Sequence, residues 1–267
     1  MFMVPRLRST LGCLNPRSLM RYSTINNSYF PGIPSNLLEL RVGYIMNCQN
    51  HPEADSLYVS KVIVDPEEYK KYKLMVDGPA EDKAPEEIKS LTICSGLRNL
   101  VPRTVLQDSF VVIVNNLKPS KMRGIKSEGM VLAAEKILAK EDPSTETPPS
   151  RIIELVRPPH NSEPNDLLQF KSSKFSSNDI PANELSAYKE LSNMRFSRIR
   201  NSRKLINCVE GLTIDGNLNI TWSGVNENGE DLEKCVLVNP SLVAKSEGKQ
   251  SGEVTVENEK LVGAVVR

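Results

Sequence analysis

Short runs of β-branched and aliphatic residues, separated by polar turns, dominate the segment from residue 37 to residue 134. Runs of this length and composition are typical of β-strands. Ser95-Gly96 ends one such run, and a single turn of helix fits residues 97–100 that follow it. The pattern predicts a small, mainly β unit with five strands, which fall at residues 40–46, 57–64, 91–95, 110–114 and 130–134.

A charged insert separates the second and third predicted strands. Residues 65–89 contain eight acidic residues and five lysines, together with Pro66, Pro79 and Pro85. Charge runs and prolines are typical of solvated connections. We therefore predict a long solvated loop here, which in a compact domain is either functional or without fixed structure.

The composition changes again after the fifth predicted strand. Residues 140–150 are rich in proline, serine and threonine, and a strand-like run follows at Arg151–Val156. A second short apolar run lies at Leu167–Phe170, and a Ser/Lys-rich stretch follows it. We therefore predict that the barrel domain spans residues 37–170 and that residues 171–180 form a linker.

The last part of the chain mixes two kinds of periodicity. Apolar side chains recur every three residues from Leu185 to Met194, which predicts a helix over residues 181–205. Short β-type runs and Asn/Gly turns occupy the last sixty residues. We therefore expect a smaller α+β C-terminal extension over residues 181–267.

The first residues have the composition of a targeting segment. Residues 1–38 contain four arginines and no acidic residue, and Leu7, Leu11 and Leu14 recur at helical spacing. This is the pattern of a mitochondrial transit peptide, so we predict a disordered leader at residues 1–36 and a location in the mitochondrial matrix. If the segment is only a basic tail, the alternative location is the cytoplasm. Loss of the four arginines changes the net charge from +1 to −3, so any nucleic-acid site must be a local patch.

Residues that would indicate a catalytic, metal or disulfide site are sparse. The five cysteines form no Cys-x-x-Cys pair and there are only two histidines, so we expect neither a disulfide framework nor a metal site. No Walker loop, Gly-x-Gly-x-x-Gly or His-Glu-x-x-His motif is present, and we predict no cofactor and no catalysis. The longest apolar run, Phe110–Val114, is too short to cross a membrane.

The densest group of candidate binding residues follows the fourth predicted strand. Four cations fall within nine residues there, and Pro119 and Gly124 indicate turns. Cations on a loop can neutralise backbone phosphates without reading sequence. Composition alone leaves a merely solvated charged loop as the alternative. The four cations are Lys118, Lys121, Arg123 and Lys126.

Five segments, in this order, resemble a known family. They are Arg41–Gly43, His51–Val59, Ile93–Leu97, Asn116–Pro119 and Lys121–Ala134. Together they closely resemble the tRNA-binding domain found in endothelial monocyte-activating polypeptide, in the yeast synthetase cofactor and in methionyl-tRNA synthetase tails. The resemblance implies a five-stranded OB-fold barrel that recognises tRNA by shape. It also implies a structured turn at residues 51–55.

The resemblance assigns roles to matching positions. The four loop cations would contact phosphates, and further residues would line the binding face, with Met130 alternatively in the core. The candidates of this second group are Asn116, Ser127, Met130, Arg41, Lys61 and Ser95. A secondary basic patch, which is either an extension of the RNA surface or a solvated helix face, comprises Arg195, Arg198, Arg200, Arg203 and Lys204.

The resemblance also indicates partners. We expect tRNA as the ligand, an aminoacyl-tRNA synthetase as a candidate partner, and no membrane association. The alternative function is a protein-interaction scaffold or a synthetase-complex subunit in which RNA binding is secondary. Family members with a eukaryotic-type extension are kept monomeric by it, but the sequence leaves monomer and homodimer open.

Overall fold

The computed structural model describes residues 38–78, 87–138, 150–172, 192–193, 196–200, 205, 209, 211–223, 234–245 and 252–267. The helices are α1 (Pro66–Asp77), α2 (Arg103–Leu106) and α3 (Pro240–Lys245), and a 3₁₀ turn lies at Glu259–Leu261. The strands are β1 (Leu40–Asn50), β2 (Tyr58–Ile63), β3 (Leu91–Ser95), β4 (Ser109–Val114), β5 (Ser120–Met122), β6 (Ile125–Ser127), β7 (Met130–Val131), β8 (Ala133–Ile137), β9 (Arg151–Leu155), β10 (Gln169–Ser172), β11 (Leu212–Ile214), β12 (Ile220–Trp222), β13 (Cys235–Val238) and β14 (Val265–Val266).

The first sheet forms a small barrel in the strand order β3-β2-β1-β4-β7. Its two edges meet where the Glu128 N–H donates to the Thr92 carbonyl at 2.8 Å and the Cys94 N–H donates to Ser127 Oγ at 3.0 Å. All five predicted strands are present, with the fifth divided into β7 and β8, which confirms the predicted mainly β, OB-like fold. Residues 97–101 form a hydrogen-bonded turn, and the helical turn α2 follows it.

Strand β4 is buried on both faces. Val111 and Ile113 point into the barrel and pack with Ile45, whereas Val112 and Val114 point outward into a second apolar cluster. Successive side chains of a strand face opposite sides, so a continuous apolar run requires cover on both. The C-terminal half of the chain supplies the outer cover.

The second sheet joins the barrel to the extension. Its order is β10-β13-β12-β11-β14-β8-β9, so β8 of the barrel segment pairs with the C-terminal strand β14. Trp222 and Leu237 of the extension share the outer cluster with Leu40 of β1. The boundary placed at residue 170 therefore falls within β10 and inside one continuous core. Of the predicted linker, Lys171 and Ser172 are buried strand residues.

The prediction of a solvated loop for the insert is wrong, because much of it is helix α1. The Asp65 side chain caps the helix by accepting from the Glu67 N–H at 2.8 Å, and Pro66 occupies the first turn, where its missing N–H costs nothing. The rings of Tyr69 and Tyr72 pack against Tyr44 of β1 at centroid distances of 4.9 and 5.7 Å. Acidic and proline residues here are signals for the start of a helix.

The helix predicted over residues 181–205 lies mainly outside the described residues. The leader at residues 1–36 lies outside them entirely. The short β-type runs predicted for the last sixty residues include strands β12, β13 and β14.

Candidate nucleic-acid interface

The basic loop is a two-stranded hairpin formed by β5 and β6. Ser120 pairs with Ser127, Lys121 with Lys126 and Met122 with Ile125. The two turn residues, Arg123 and Gly124, have φ values of 46° and 89°. Positive φ at both central positions matches the twist of a tight hairpin. Glycine adopts a positive φ without strain, whereas arginine is strained by it.

The hairpin concentrates positive charge on one exposed face. Lys118, Lys121, Arg123 and Lys126 are all exposed. Lys121 and Lys126 lie directly opposite each other, so their side chains share the same face. Like charges directly opposite across two strands are destabilising. The arrangement therefore lowers the stability of the hairpin and favours an anionic ligand.

Glu128 moderates this positive surface. Its carboxylate accepts from Lys126 Nζ at 2.8 Å and from the Thr92 N–H at 3.2 Å. The hydrogen bond from Lys126, followed by that from Thr92, lowers the pKa of the Glu128 carboxyl. Glu128 is therefore ionised at neutral pH and offsets the charge of Lys126. Within the described residues, Lys118, Lys121 and Arg123 form no ion pair.

Two buried side chains fix the hairpin to the barrel. His51, 2% exposed, accepts the Glu53 N–H at Nδ1, so its Nε2–H donates to the Met122 carbonyl at 3.0 Å. Ser127 Oγ accepts from the Cys94 N–H and donates to the Gly129 carbonyl at 3.2 Å. The predicted structured turn at residues 51–55 therefore has a role that sequence reasoning missed: it positions the cationic hairpin.

Three residues predicted to line the binding face do not reach the surface. Asn116, Ser127 and Arg41 are 3%, 4% and 5% exposed. Arg41 pairs with Glu39 at 2.5 Å, and Asn116 Oδ1 accepts from the Glu39 N–H at 3.0 Å. Their hydrogen bonds are to the protein itself. In this structure, the side chains of Arg41, Asn116 and Ser127 are therefore buried and engaged within the protein, and their assignment to the binding face stays a prediction.

Of the remaining three candidates, Lys61 is exposed, whereas Ser95 and Met130 are only partly exposed. Lys61 lies in β2, and its Nζ donates to Thr92 Oγ1 of β3 at 2.9 Å. The N–H of the same Thr92 donates to Glu128. Ser95 and Met130 line a cavity of about 400 Å³, into which the hairpin contributes Ser120 and Met122. Ser95 Oγ itself is buried and has no hydrogen-bond partner among the described residues. Met130 is half-buried and packs against the outer core as well, so it contributes to both environments.

The secondary basic patch is described only in part. Arg195, Arg203 and Lys204 lie outside the described residues, whereas Arg198 and Arg200 are exposed. Between them, Ile199 forms a parallel β-bridge with Leu117, immediately before the hairpin. Two of the five patch residues therefore lie next to the cationic hairpin. The structure brings together segments that are about eighty residues apart in sequence.

Helix α1, which makes up much of the described part of the acidic insert, packs on a different surface from the cations. Helix α1 packs through Tyr69 and Tyr72 on Tyr44 and Phe110 of β1 and β4. Burial, followed by the hydrogen bond to Asp108, raises the pKa of Tyr72 to about 12. Glu68, the buried acid of the helix, accepts from the Lys89 N–H at 3.0 Å. Helix α1 is thus a structural cap on the barrel.

The fold and this surface together define a class: an OB-like barrel with an exposed cationic hairpin of the kind that binds nucleic-acid backbones. Residues 73–154 match the family described as putative tRNA binding domain. That range runs from helix α1 through most of β9 and includes the whole hairpin. This segment of the chain is therefore similar to that family.

Curated relatives match about half of the chain. The cytoplasmic tyrosine–tRNA ligase of Gallus gallus is 35% identical over 147 residues, which is 54% of this chain and 24% of the ligase. The tRNA-aminoacylation cofactor arc1 of Schizosaccharomyces pombe is 34% identical over 52% of this chain and 24% of its own. Mouse aminoacyl tRNA synthase complex-interacting multifunctional protein 1 is 35% identical, over 52% of this chain and 34% of its own. The chain spans about a quarter to a third of the length of these relatives.

Among solved structures, the C-terminal domain of Plasmodium vivax p43 aligns over 87% of this chain and 98% of its own, with 22% identity and a TM-score of 0.48. Across the part of the chain described here, no helix is long and apolar enough to cross a membrane. The same residues include no group of three or more His, Cys, Asp or Glu side chains placed to hold a metal ion.

Proposed function

We propose that this protein binds tRNA without catalysing a reaction on it, and that the β5–β6 hairpin is the main contact. The observation that carries the proposal is the exposed pair Lys121 and Lys126, held directly opposite each other beside Arg123. That cluster lies within the segment that matches the tRNA-binding domain family.

Binding would act through the RNA backbone. The hairpin is preformed, because His51 and Ser127 attach it to the barrel, so little order is lost when an anion binds. Four phosphate contacts, from Lys118, Lys121, Arg123 and Lys126, would give log K against log salt a slope of about −3 to −4. Among the described residues, these cations lie on and beside a hairpin and not on a helix, so recognition would depend on RNA shape.

The biological role would be delivery of tRNA to an aminoacyl-tRNA synthetase. Relatives carrying this domain are named as a tRNA-aminoacylation cofactor and as a synthase complex-interacting protein. A tethered RNA-binding module raises the local concentration of its RNA at a partner enzyme. We propose the mitochondrial matrix as its location from the composition of the leader. Residues 1–22 fused to a fluorescent reporter should enter mitochondria, and a cytosolic reporter would contradict this proposal.

The test of tRNA binding compares two charge reversals of equal size. Lys121→Glu with Arg123→Glu removes the centre of the hairpin charge, and Lys234→Glu with Lys260→Glu places the same change at exposed sites on the extension. Each changes the net charge by four units. Fluorescence anisotropy with a labelled tRNA transcript would measure Kd from 25 to 200 mM salt.

We expect the hairpin variant to lose at least tenfold in affinity with an unchanged thermal unfolding temperature, and the extension variant to lose much less. Equal losses in both variants would mean that binding follows net charge, and the hairpin assignment would fail. ATP-dependent aminoacylation by the purified protein should be absent. Its presence would contradict the non-catalytic part of the proposal.

A further inference from the structure

We infer that residues 196–200 of the C-terminal extension complete the RNA-binding surface, with Arg198 and Arg200 adding two phosphate contacts beside Lys118. The inference rests on the proposed function, because it assigns a second part to the same site. It also gives a role to the buried side chains of Asn116 and Arg41.

The segment is attached to the barrel by backbone and side-chain hydrogen bonds. The Lys118 N–H donates to the Ile199 carbonyl at 3.0 Å, and the Ile199 N–H donates to the Asn116 carbonyl at 2.8 Å. These two bonds make a parallel β-bridge between Leu117 and Ile199. The backbone on either side of Ile199 is therefore fixed relative to the residue that precedes the hairpin cations.

Two side chains of the barrel strengthen this attachment. Asn116 Nδ2 donates to the Ser197 carbonyl at 2.9 Å, and Arg41 Nη2 donates to the Ser192 carbonyl at 3.1 Å. Both donors are almost fully buried, and a buried donor without a partner would cost about 1–3 kcal/mol. Residues that the family resemblance assigns to RNA thus anchor the segment that carries additional arginines.

The bridge determines which side chains share a face. In a parallel pair, neighbouring residues point to the same side, so Lys118 lies beside Arg200 on strands about 4.8 Å apart. Ile199 points the other way, against the outer apolar cluster. Lys118, Arg198 and Arg200 are exposed accordingly.

The charge on this surface is uncompensated. Within the described residues, neither Arg198 nor Arg200 forms an ion pair or hydrogen bond through its guanidinium. Three unpaired cations side by side repel one another, and a phosphate backbone that passes over them would relieve that repulsion. Exposed cations at Arg200, Lys118 and Lys121 suit an extended polyanion better than a small ion.

The test removes the two charges and, separately, their attachment. Arg198→Ala with Arg200→Ala deletes the proposed contacts. Ile199→Pro keeps both arginines but removes the N–H that donates to the Asn116 carbonyl. Salt-dependent anisotropy with the tRNA transcript is measured for both variants, and hydrogen exchange at the Lys118 amide reports whether the segment is still attached.

For the double alanine variant, we expect the salt slope to become shallower by about 1.8, because each phosphate contact contributes about 0.9. The ratio of the variant's Kd to the Kd of the unmodified protein should therefore fall about tenfold when the salt concentration rises from 50 to 200 mM. Ile199→Pro should produce the same change and faster exchange at Lys118. Combining it with the alanine substitutions should add nothing further.

The inference is overturned if the unmodified protein binds, the hairpin variant of Lys121 and Arg123 loses binding, and the double alanine variant keeps the original slope. It is also overturned if Ile199→Pro releases the Lys118 amide and leaves the slope unchanged. If the unmodified protein does not bind tRNA at all, the proposed function fails first, and the two failures are thereby distinguished.

Discussion

Arg123 lies at a position where stability and binding should change in opposite directions. Its φ of 46° is in the left-handed region, and the next residue, Gly124, has a φ of 89°. Left-handed backbone costs a residue with a Cβ about 1–2 kcal/mol, whereas glycine adopts it without that cost. Arg123→Gly should therefore relieve strain in the turn and at the same time remove one cation from the hairpin.

The size of the stability change follows from two opposing terms. The relief of about 1–2 kcal/mol is offset by the greater freedom of glycine in the unfolded chain, which is about 0.4–1 kcal/mol. The net gain is about 0.5–1 kcal/mol, and in a chain of this size it should raise Tm by about 2 °C. The hairpin contributes to global stability because His51 and Ser127 bind it to the barrel.

The binding change has the opposite sign. Loss of one phosphate contact should make the salt slope shallower by about 0.9. Thermal unfolding and salt-dependent anisotropy measure the two quantities on the same preparation. Lys118→Ala serves as a matched control, because it removes one exposed cation without touching the turn. It should change the slope by a similar amount and leave Tm unchanged.

A second control reverses the backbone effect. Gly124→Ala places a Cβ at the φ of 89° and should lower Tm while leaving all four cations in place. The reasoning is refuted if Arg123→Gly lowers Tm, or if it raises Tm and leaves the salt slope unchanged. The first result would mean that the arginine side chain stabilises the hairpin, and the second that it does not contact phosphate.

Glu128→Gln should raise tRNA affinity several-fold, because Lys126 loses the carboxylate that holds it at 2.8 Å; an anisotropy titration showing weaker binding would contradict this role. His51→Ala should lower Tm, because it leaves the Met122 carbonyl without its donor, at a cost of about 1–3 kcal/mol, and hairpin amides should exchange faster; unchanged exchange would show that the hairpin is held otherwise. Tyr72 should titrate near pH 12 in the folded protein, so stability should fall as pH rises from about 10 towards 12, since the unfolded chain releases that proton earlier. Absorbance at 295 nm, compared with Tyr72→Phe, measures this titration, and an ordinary tyrosine titration in the folded state would contradict the burial of Tyr72.

Local sequence patterns determined the strands and the hairpin. The runs that form β1 to β4 contain mainly β-branched, aliphatic and aromatic residues of the kind that favour strands. The cationic loop was recognisable because four cations fall within nine residues and Pro119 and Gly124 indicate turns, and the structure places all four side chains in exposed positions. For these features, the residues and their immediate neighbours carry the necessary information.

The insert shows where local reading was ambiguous. Asp65, Pro66 and the following acids can mark a loop or a helix start, and the choice depends on whether the helix has a surface to cover. Tyr44 and Phe110 provide that surface from strands that the insert does not adjoin in sequence. Helix α1 therefore depends on tertiary packing as much as on its own capping residues.

Only the tertiary structure decided which polar residues face the solvent. Asn116 and Arg41 have side chains suited to RNA, yet both are buried because the carbonyls of Ser197 and Ser192 lie against them. Likewise, nothing local to Arg198 and Arg200 places them beside Lys118, because that neighbourhood depends on a β-bridge between distant segments. Side-chain chemistry is a property of the sequence, but burial and proximity follow from how the extension covers the outer face of β4.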